Sequence, residues 1–190
     1  MSVSRKEDAE QHRRKSRREY SGKVISLDVD TVQFPDGSSG ELEIVRHPGA
    51  SAVIAFLDDA HIENPRVLLI KQYRYAAGAF LLEIPAGKLE AGESPMECAA
   101  RELKEETGWS ARSFEHLLTM YTTPGFTDER IHLFVAFGLE PGEPAREKDE
   151  VLDIEIVPIS AAIEMISSGE IEDAKTAIAI LFSDHIRRKR

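Results

Sequence analysis

The sequence predicts an α/β/α sandwich built on a mixed sheet, with a small antiparallel β subdomain ahead of it. Three observations predict it. Short alternating or Val/Ile/Leu-rich runs recur through 20–73 and again through 116–157, as strands do. One strongly capped helical stretch, 94–107, lies between those two sets of runs, and two more helical stretches close the chain at 160–168 and 173–186. A sheet with helices for both faces makes a layered domain. At 190 residues the chain holds one domain with an appendage.

Taken in order, residues 1–19 are polar, rich in Arg and Lys and without an apolar period, so they are expected to form a disordered basic tail. The cluster Arg13, Arg14, Lys15, Arg17 and Arg18 reads as a solvated segment. Residues 20–48 alternate around the turn Pro35-Asp36-Gly37 and form a β subdomain. A lone hairpin is marginal in water, so this one must pack on the main domain or on a second chain. The main domain, 49–190, opens with buried strands at 50–57 and 66–73, joined by a polar loop. Segment 81–86 then leads into a helix with Ser94 as N-cap, Pro95 at its first position, Glu97 completing a capping box and Gly108 as its stop. Met96, Ala99, Ala100 and Leu103 share its packing face, and Cys98, Glu102, Glu105 and Glu106 the adjoining one. Strands follow at 116–121, 131–139 and 152–157, with the Pro-, Gly- and acid-rich loop 140–150 as the most mobile segment. Ile178, Leu181 and Phe182 give the last helix its packing stripe. There is no internal repeat.

Composition excludes several classes. Hydrophobic residues make up 42% and charged residues 31%, ordinary for a globular protein. The apolar runs fall well short of the roughly 20 residues a bilayer crossing needs, so no membrane partner and a cytoplasmic location are expected. A net charge of -10 argues against a nucleic-acid partner. It admits a small anionic substrate when metal ions and local cations shield it. Cys98 is the only cysteine, so no intrachain disulfide forms, and it reads as a small semi-buried filler.

The chemistry concentrates in the stretch GKLEAGESPMECAARELKEETGW, 87–109, which brings Glu93, Glu102, Glu105 and Glu106 close together. Like charges three and four apart weaken a helix, so cations are needed to hold them. Hard oxygen donors suit Mg2+ or Mn2+. The order Gly87, five residues, Glu93, seven residues, Arg101-Glu102-Leu103, one residue, Glu105-Glu106, one residue, Gly108 resembles the Nudix hydrolase box at every specified position. Trp109 stands where a smaller aliphatic residue is common. Outside the box, HPGASAV at 47–53, KQYRYAAG at 71–78, LLEIPAG at 81–87 and PGFTDE from Pro124 resemble the ADP-ribose pyrophosphatase branch, in the expected order.

That resemblance implies a Nudix-type fold and Mg2+-dependent hydrolysis of the diphosphate of ADP-ribose to AMP and ribose 5-phosphate. The alternatives are another nucleoside diphosphate sugar or nucleotide as substrate, or a nucleotide-sugar sensor without turnover. By the same resemblance Glu102, Glu105, Glu106 and the Ala86 carbonyl hold metal, and Arg101 braces Glu105. Glu93 is a supporting group. Arg74 contacts a substrate phosphate, Tyr73 and Phe126 line the base or sugar pocket beside Pro124 and Gly125, and Glu129 reaches a ribose or a water. Glu147 or Glu150 orients or deprotonates the attacking water once its loop closes. The branch often carries an arginine ahead of the strand entering HPG, whereas this chain has Leu42 there and Arg46 further on. The N-terminal hairpin resembles the dimerising segment of the branch, which implies a homodimer.

Overall fold

The computed structural model describes residues 12–144 and 152–189. In chain order its elements are β1 (Arg13–Ser21), β2 (Ser26–Gln33), β3 (Ser39–Arg46), β4 (Ala50–Phe56), β5 (Arg66–Arg74), β6 (Ala79–Glu83), β7 (Ala86–Lys88), α1 (Pro95–Thr107), β8 (Ser110–Tyr121), β9 (Arg130–Glu140), β10 (Leu152–Pro158), α2 (Ile159–Ser168) and α3 (Ala174–Arg187). The described residues fall into two compact units, one of 12–49 with 121–130, the other of 50–120 with 131–144 and 152–189.

The first unit is a three-stranded antiparallel sheet in the order β1-β2-β3. Its β2–β3 turn is the expected one: Gly37 takes a positive φ of 85°, and the Asp36 carboxylate accepts from Ser38 N at 2.9 Å. Strand β1 corrects the sequence expectation, because residues 13–21 lie within the stretch read as tail or at its edge. No apolar period marks this strand, since all its residues are exposed. Backbone pairing and charge hold it instead. Asp28 and Asp30 of β2 are buried, and Arg18 of β1 and Arg46 of β3 reach the Asp28 carboxylate from either side. Arg18 hydrogen-bonding, and Arg46 after it, holds that carboxyl below its ordinary range against the opposing effect of burial.

The second unit is built on a seven-stranded mixed sheet in the order β10-β5-β4-β9-β8, with β6 paired to β5 and β7 paired to β4. Strand β9 runs parallel to β4, while β5, β7 and β10 pair antiparallel with their neighbours. Side-chain alternation splits the core in two, as a sheet covered on both faces requires. Ala52, Ile54, Phe56, Val67, Leu69, Leu133 and Val135 pack with Ile159, Ala162, Ala179 and Ile180 of α2 and α3. Val53, Ala55, Leu68, Ile70, Phe134 and Ala136 pack with Ala99 and Leu103 of α1. This is the α/β/α sandwich the sequence predicts.

Strands β4 and β5 are paired only at Ala55–Leu68 and Phe56–Val67. Beyond that they part, and the segment 79–88 fills the gap: Glu83 pairs with Ile70 of β5, Ala86 pairs with Ala52 of β4, and Val53 N donates to Pro85 O at 2.9 Å. The chain entering the acidic stretch is therefore part of the sheet.

Two further elements differ from expectation. Strand β8 starts at Ser110, not at 116, because an edge strand solvated along its first half shows no apolar alternation. In α3 the buried residues are Thr176, Ala179, Ile180, Ser183 and Asp184, whereas Ile178, Leu181 and Phe182 are exposed at 38%, 48% and 37%. Among the described residues no helix is long and apolar enough to cross a membrane.

Candidate active site

Helix α1 carries the acids, and its ends are fixed locally. Ser94 Oγ accepts from Glu97 N, Glu97 accepts from Ser94 N at 2.9 Å, and Gly108 closes the helix in the left-handed conformation at φ 80°. A cap of this kind contributes about 1 kcal/mol. The buried face is not quite the expected one. Met96 is 50% exposed, while Cys98, Glu102 and Glu106, spaced four apart, turn inward together with Ala99 and Leu103.

That inward row runs along β7. Ala86 N donates to Glu106 Oε2 at 3.0 Å, and Cys98 Sγ lies 3.5 Å from the carbonyls of Gly87 and Lys88. Between them Glu102 lies across Gly87. A Cβ on residue 87 would stand 1.8 Å from Glu102 Oε1, so only glycine admits this carboxylate. Glu106 is 2% exposed and Glu102 8%. Burial, reinforced by the nearby Glu93 and Glu102 charges, pushes the Cys98 thiol up to about 12, which leaves it inert as a nucleophile.

Arg101 gathers the acids. Its Nε and Nη2 donate to the two Glu93 oxygens at 2.8 and 3.0 Å, and its Nη1 donates to Glu102 at 2.6 Å and Glu105 at 3.0 Å. Nη2 also reaches Lys88 O at 3.3 Å. The spacing predicts a brace from Arg101 to Glu105, and in the structure Glu93 and Glu102 share the same guanidinium. Hydrogen bonding to Arg101 holds Glu93 down at about 2, despite partial burial. The guanidinium is itself raised well above its ordinary value, first by Glu93.

Oxygen atoms of the Glu102 and Glu106 carboxylates, of the half-exposed Glu105 and of the backbone at 86–88 lie along this row, with the Arg101 guanidinium and the Cys98 thiol beside them. Such a set fits a hard divalent cation. Among the described residues no three His, Cys, Asp or Glu side chains converge as a complete ligand set.

Beside this row lies a charge cluster that the sequence reading missed. Glu83, 1% exposed, accepts from Arg74 Nε at 2.7 Å and Nη2 at 2.8 Å, and also from Lys175 of α3. Lys175 in turn lies 3.0 Å from Asp173, the N-cap of α3, and Thr176 Oγ1 accepts from Ile84 N at 2.9 Å. Burial pushes the Glu83 carboxyl up, but Arg74 and Lys175 outweigh it and keep it below its usual range. Hydrogen bonding to Glu83 raises Arg74 against its own burial. Arg74 thus presents itself from a fixed fork. Glu83 and Lys175 are 92 positions apart, which is why no local pattern announces the pair. Tyr73 packs edge-on against Phe80 at 5.3 Å and is 48% exposed.

Pro124, Gly125, Phe126 and Glu129 belong to the other compact unit. There the loop is tied to β3: Val45 N donates to Phe126 O at 2.8 Å, and Asp128 accepts from His47 N at 2.9 Å. Arg46, which also reaches Asp28 and Asp30, lies 3.3 Å from Asp128. Arg46 is therefore committed to three carboxylates. Glu129 accepts from Thr122 Oγ1 at 2.9 Å, and Phe126 is 53% exposed. Glu147 and Glu150 lie outside the described residues.

Residues 46–178 match the family described as NUDIX domain. An ADP-ribose pyrophosphatase of Bacillus subtilis (strain 168) is 43% identical over 165 residues, 86% of either chain. A methanol dehydrogenase activator of Bacillus methanolicus is 44% identical over 165 residues, again 86% of each. The crystal structure of an ADP compounds hydrolase aligns with a TM-score of 0.80 over 93% of this chain and 94% of that one; at 20% identity it establishes the shared fold.

Proposed function

Because the chain belongs to the NUDIX domain family, we propose that it is a pyrophosphohydrolase that cleaves ADP-ribose to AMP and ribose 5-phosphate with the help of Mg2+ or Mn2+. The observation that carries this reading is the buried Glu102–Glu106 row laid against Ala86 and Gly87. The substrate assignment draws on the ADP-ribose pyrophosphatase relative.

Glu102, Glu106, Glu105 and the Ala86 carbonyl would hold the cation. When bound, it supplies neutralisation of the diphosphate and a water of lowered pKa. The remaining work falls to the chain itself. Ala86 N–H and the bare Gly87 fix the two buried carboxylates, and Arg101 keeps Glu102 and Glu105 from swinging apart. Arg74, oriented by Glu83, offers a permanent positive charge to a phosphate. The water oxygen bonds to one phosphorus, the bridging oxygen leaves with the other, and Glu147 or Glu150 accepts the water proton. By the family resemblance Tyr73, in the second unit, and Pro124, Gly125, Phe126 and Glu129, in the first, are each assigned to contacts with the nucleoside or the sugar.

Incubation with ADP-ribose and Mg2+ should release AMP, and in oxygen-18 water the labelled product identifies the phosphorus attacked. A panel of nucleoside diphosphate sugars should run slower than ADP-ribose. Faster turnover of another sugar nucleotide would transfer the substrate assignment, and a tight ligand left intact would replace hydrolysis with sensing.

The N-terminal sheet is also proposed as the contact of a homodimer. In its support, Tyr20, Val24, Ile25, Phe34 and Leu42 of that unit are all at least 38% exposed. Native mass at micromolar concentration should read twice the 21.2 kDa of one chain. A reading of one chain mass would remove the dimer.

A further inference from the structure

The first turn of α3 meets the segment that leads into the acid row. Asp173 caps the helix, its carboxylate accepting from Thr176 N at 3.0 Å and from Thr176 Oγ1 at 2.5 Å. Thr176 Oγ1 in turn accepts from Ile84 N at 2.9 Å. One residue earlier, Glu83 accepts from Lys175, and Lys175 lies 3.0 Å from Asp173. Asp173, Lys175 and Thr176 thus close a ring of contacts with residues 83 and 84. Two residues further on, Ala86 N donates to Glu106. All of these residues belong to the second unit.

The ring has one outlet. The side chains of Glu83, Lys175 and Asp173 are 2%, 11% and 17% exposed, whereas Arg74, forked onto Glu83, is 37% exposed. Glu83 carries one negative charge and serves two cations. Were Arg74 its only partner, the carboxylate would offset much of the guanidinium's attraction for an anion. Because Lys175 shares Glu83, the group Arg74–Glu83–Lys175 carries a net positive charge, and its exposed end is Arg74. Asp173 works the other way. It draws on Lys175 through their contact, and its charge, like that of Glu106, also acts on Arg74.

We propose that Lys175 and Asp173 are positioning residues for Arg74. Lys175 takes up part of the Glu83 charge and so leaves the guanidinium positive toward a substrate phosphate, and Asp173 limits that gain. The proposal rests on the reading of Arg74 as a phosphate contact. It makes the start of α3 the element that sets the strength of this contact.

ADP-ribose binding to the full chain, measured by calorimetry in EDTA, tests it without turnover. Lys175→Met should raise Kd about tenfold, and Lys175→Arg, which restores the charge, should stay within about threefold of wild type. Asp173→Asn should act with the opposite sign and tighten binding about two- to threefold. Asparagine caps a helix about as well as aspartate, so α3 keeps its start. In an Arg74→Gln background the gain from Asp173→Asn should vanish, because the residue it acts through is gone. Thermal unfolding reports whether each variant folds. If Lys175→Met does not, the sign of the Asp173→Asn effect and its dependence on Arg74 still decide. A purely structural role gives weaker binding from both changes, and that result overturns the proposal. So does a tightening that survives Arg74→Gln, or wild-type affinity in a folded Lys175→Met. Failure of the hydrolase reading alone looks different: the wild type binds ADP-ribose, the variants respond as stated, and no AMP appears when Mg2+ is restored. A wild-type chain without affinity for ADP-ribose overturns both.

Discussion

Exchanging Glu106 for Gln should lower kcat for ADP-ribose by about 10²- to 10³-fold, the scale on which loss of one charged group from a metal-assisted phosphoryl site is felt. The substitution is chosen for what it preserves. A glutamine keeps the volume of the side chain and an oxygen that can accept from Ala86 N, so the 3.0 Å contact with β7 need not break. Folding should survive, and circular dichroism and thermal unfolding should show it. What goes is a full negative charge in a place only 2% exposed, where charge acts most strongly. Wild-type turnover in this variant would remove Glu106 from the metal site.

Gly87→Ala should cost about 10- to 100-fold in kcat, as displacing a group that orients a metal ligand typically does. The added methyl would come within 1.8 Å of Glu102 Oε1 and 2.1 Å of its Cδ, so the carboxylate must leave its place over the strand. Gly87 is not among the positive-φ glycines, so alanine is not strained by the backbone itself. The damage therefore falls on one side chain. Metal titration of the activity should shift to higher Mg2+ concentration in step with the loss of kcat. Combined with Glu102→Gln, the change should add little, because both act on one carboxylate. Full additivity would place the effect of Gly87 elsewhere.

The sequence was most informative where structure is made locally. Helix α1 could be read from Ser94, Pro95, Glu97 and Gly108 because caps act within one turn. The acids could be read from their spacing. Which way they face could not, since hydrophobic periodicity assigns the inside to Met96 and the outside to glutamates, and here Cys98, Glu102 and Glu106 turn in while Met96 stays out. Strand β1 escaped because it is held by backbone pairing and by acids on β2 and has no buried face. The Arg74–Glu83–Lys175 cluster escaped for another reason. It joins β5, β6 and α3, and a partner 92 positions away leaves no trace in a local window.

The gap between β4 and β5 bears on when the site exists at all. Helix α1 can form early from its own caps and its own Arg101 pairs, but the contact of Glu106 with Ala86 N and the seat of Glu102 over Gly87 need 86–88 in place beside β4. That strand is held on its other edge by β9, where Ala50 meets Ile131 across a long excursion of chain. Pairings of such sequence separation are slow and come at high entropic cost. A chain still assembling its sheet carries every residue of the box and no finished cradle. The proposed cation site thus arrives together with the completed fold, and an ion bound there would add its free energy to the native state alone.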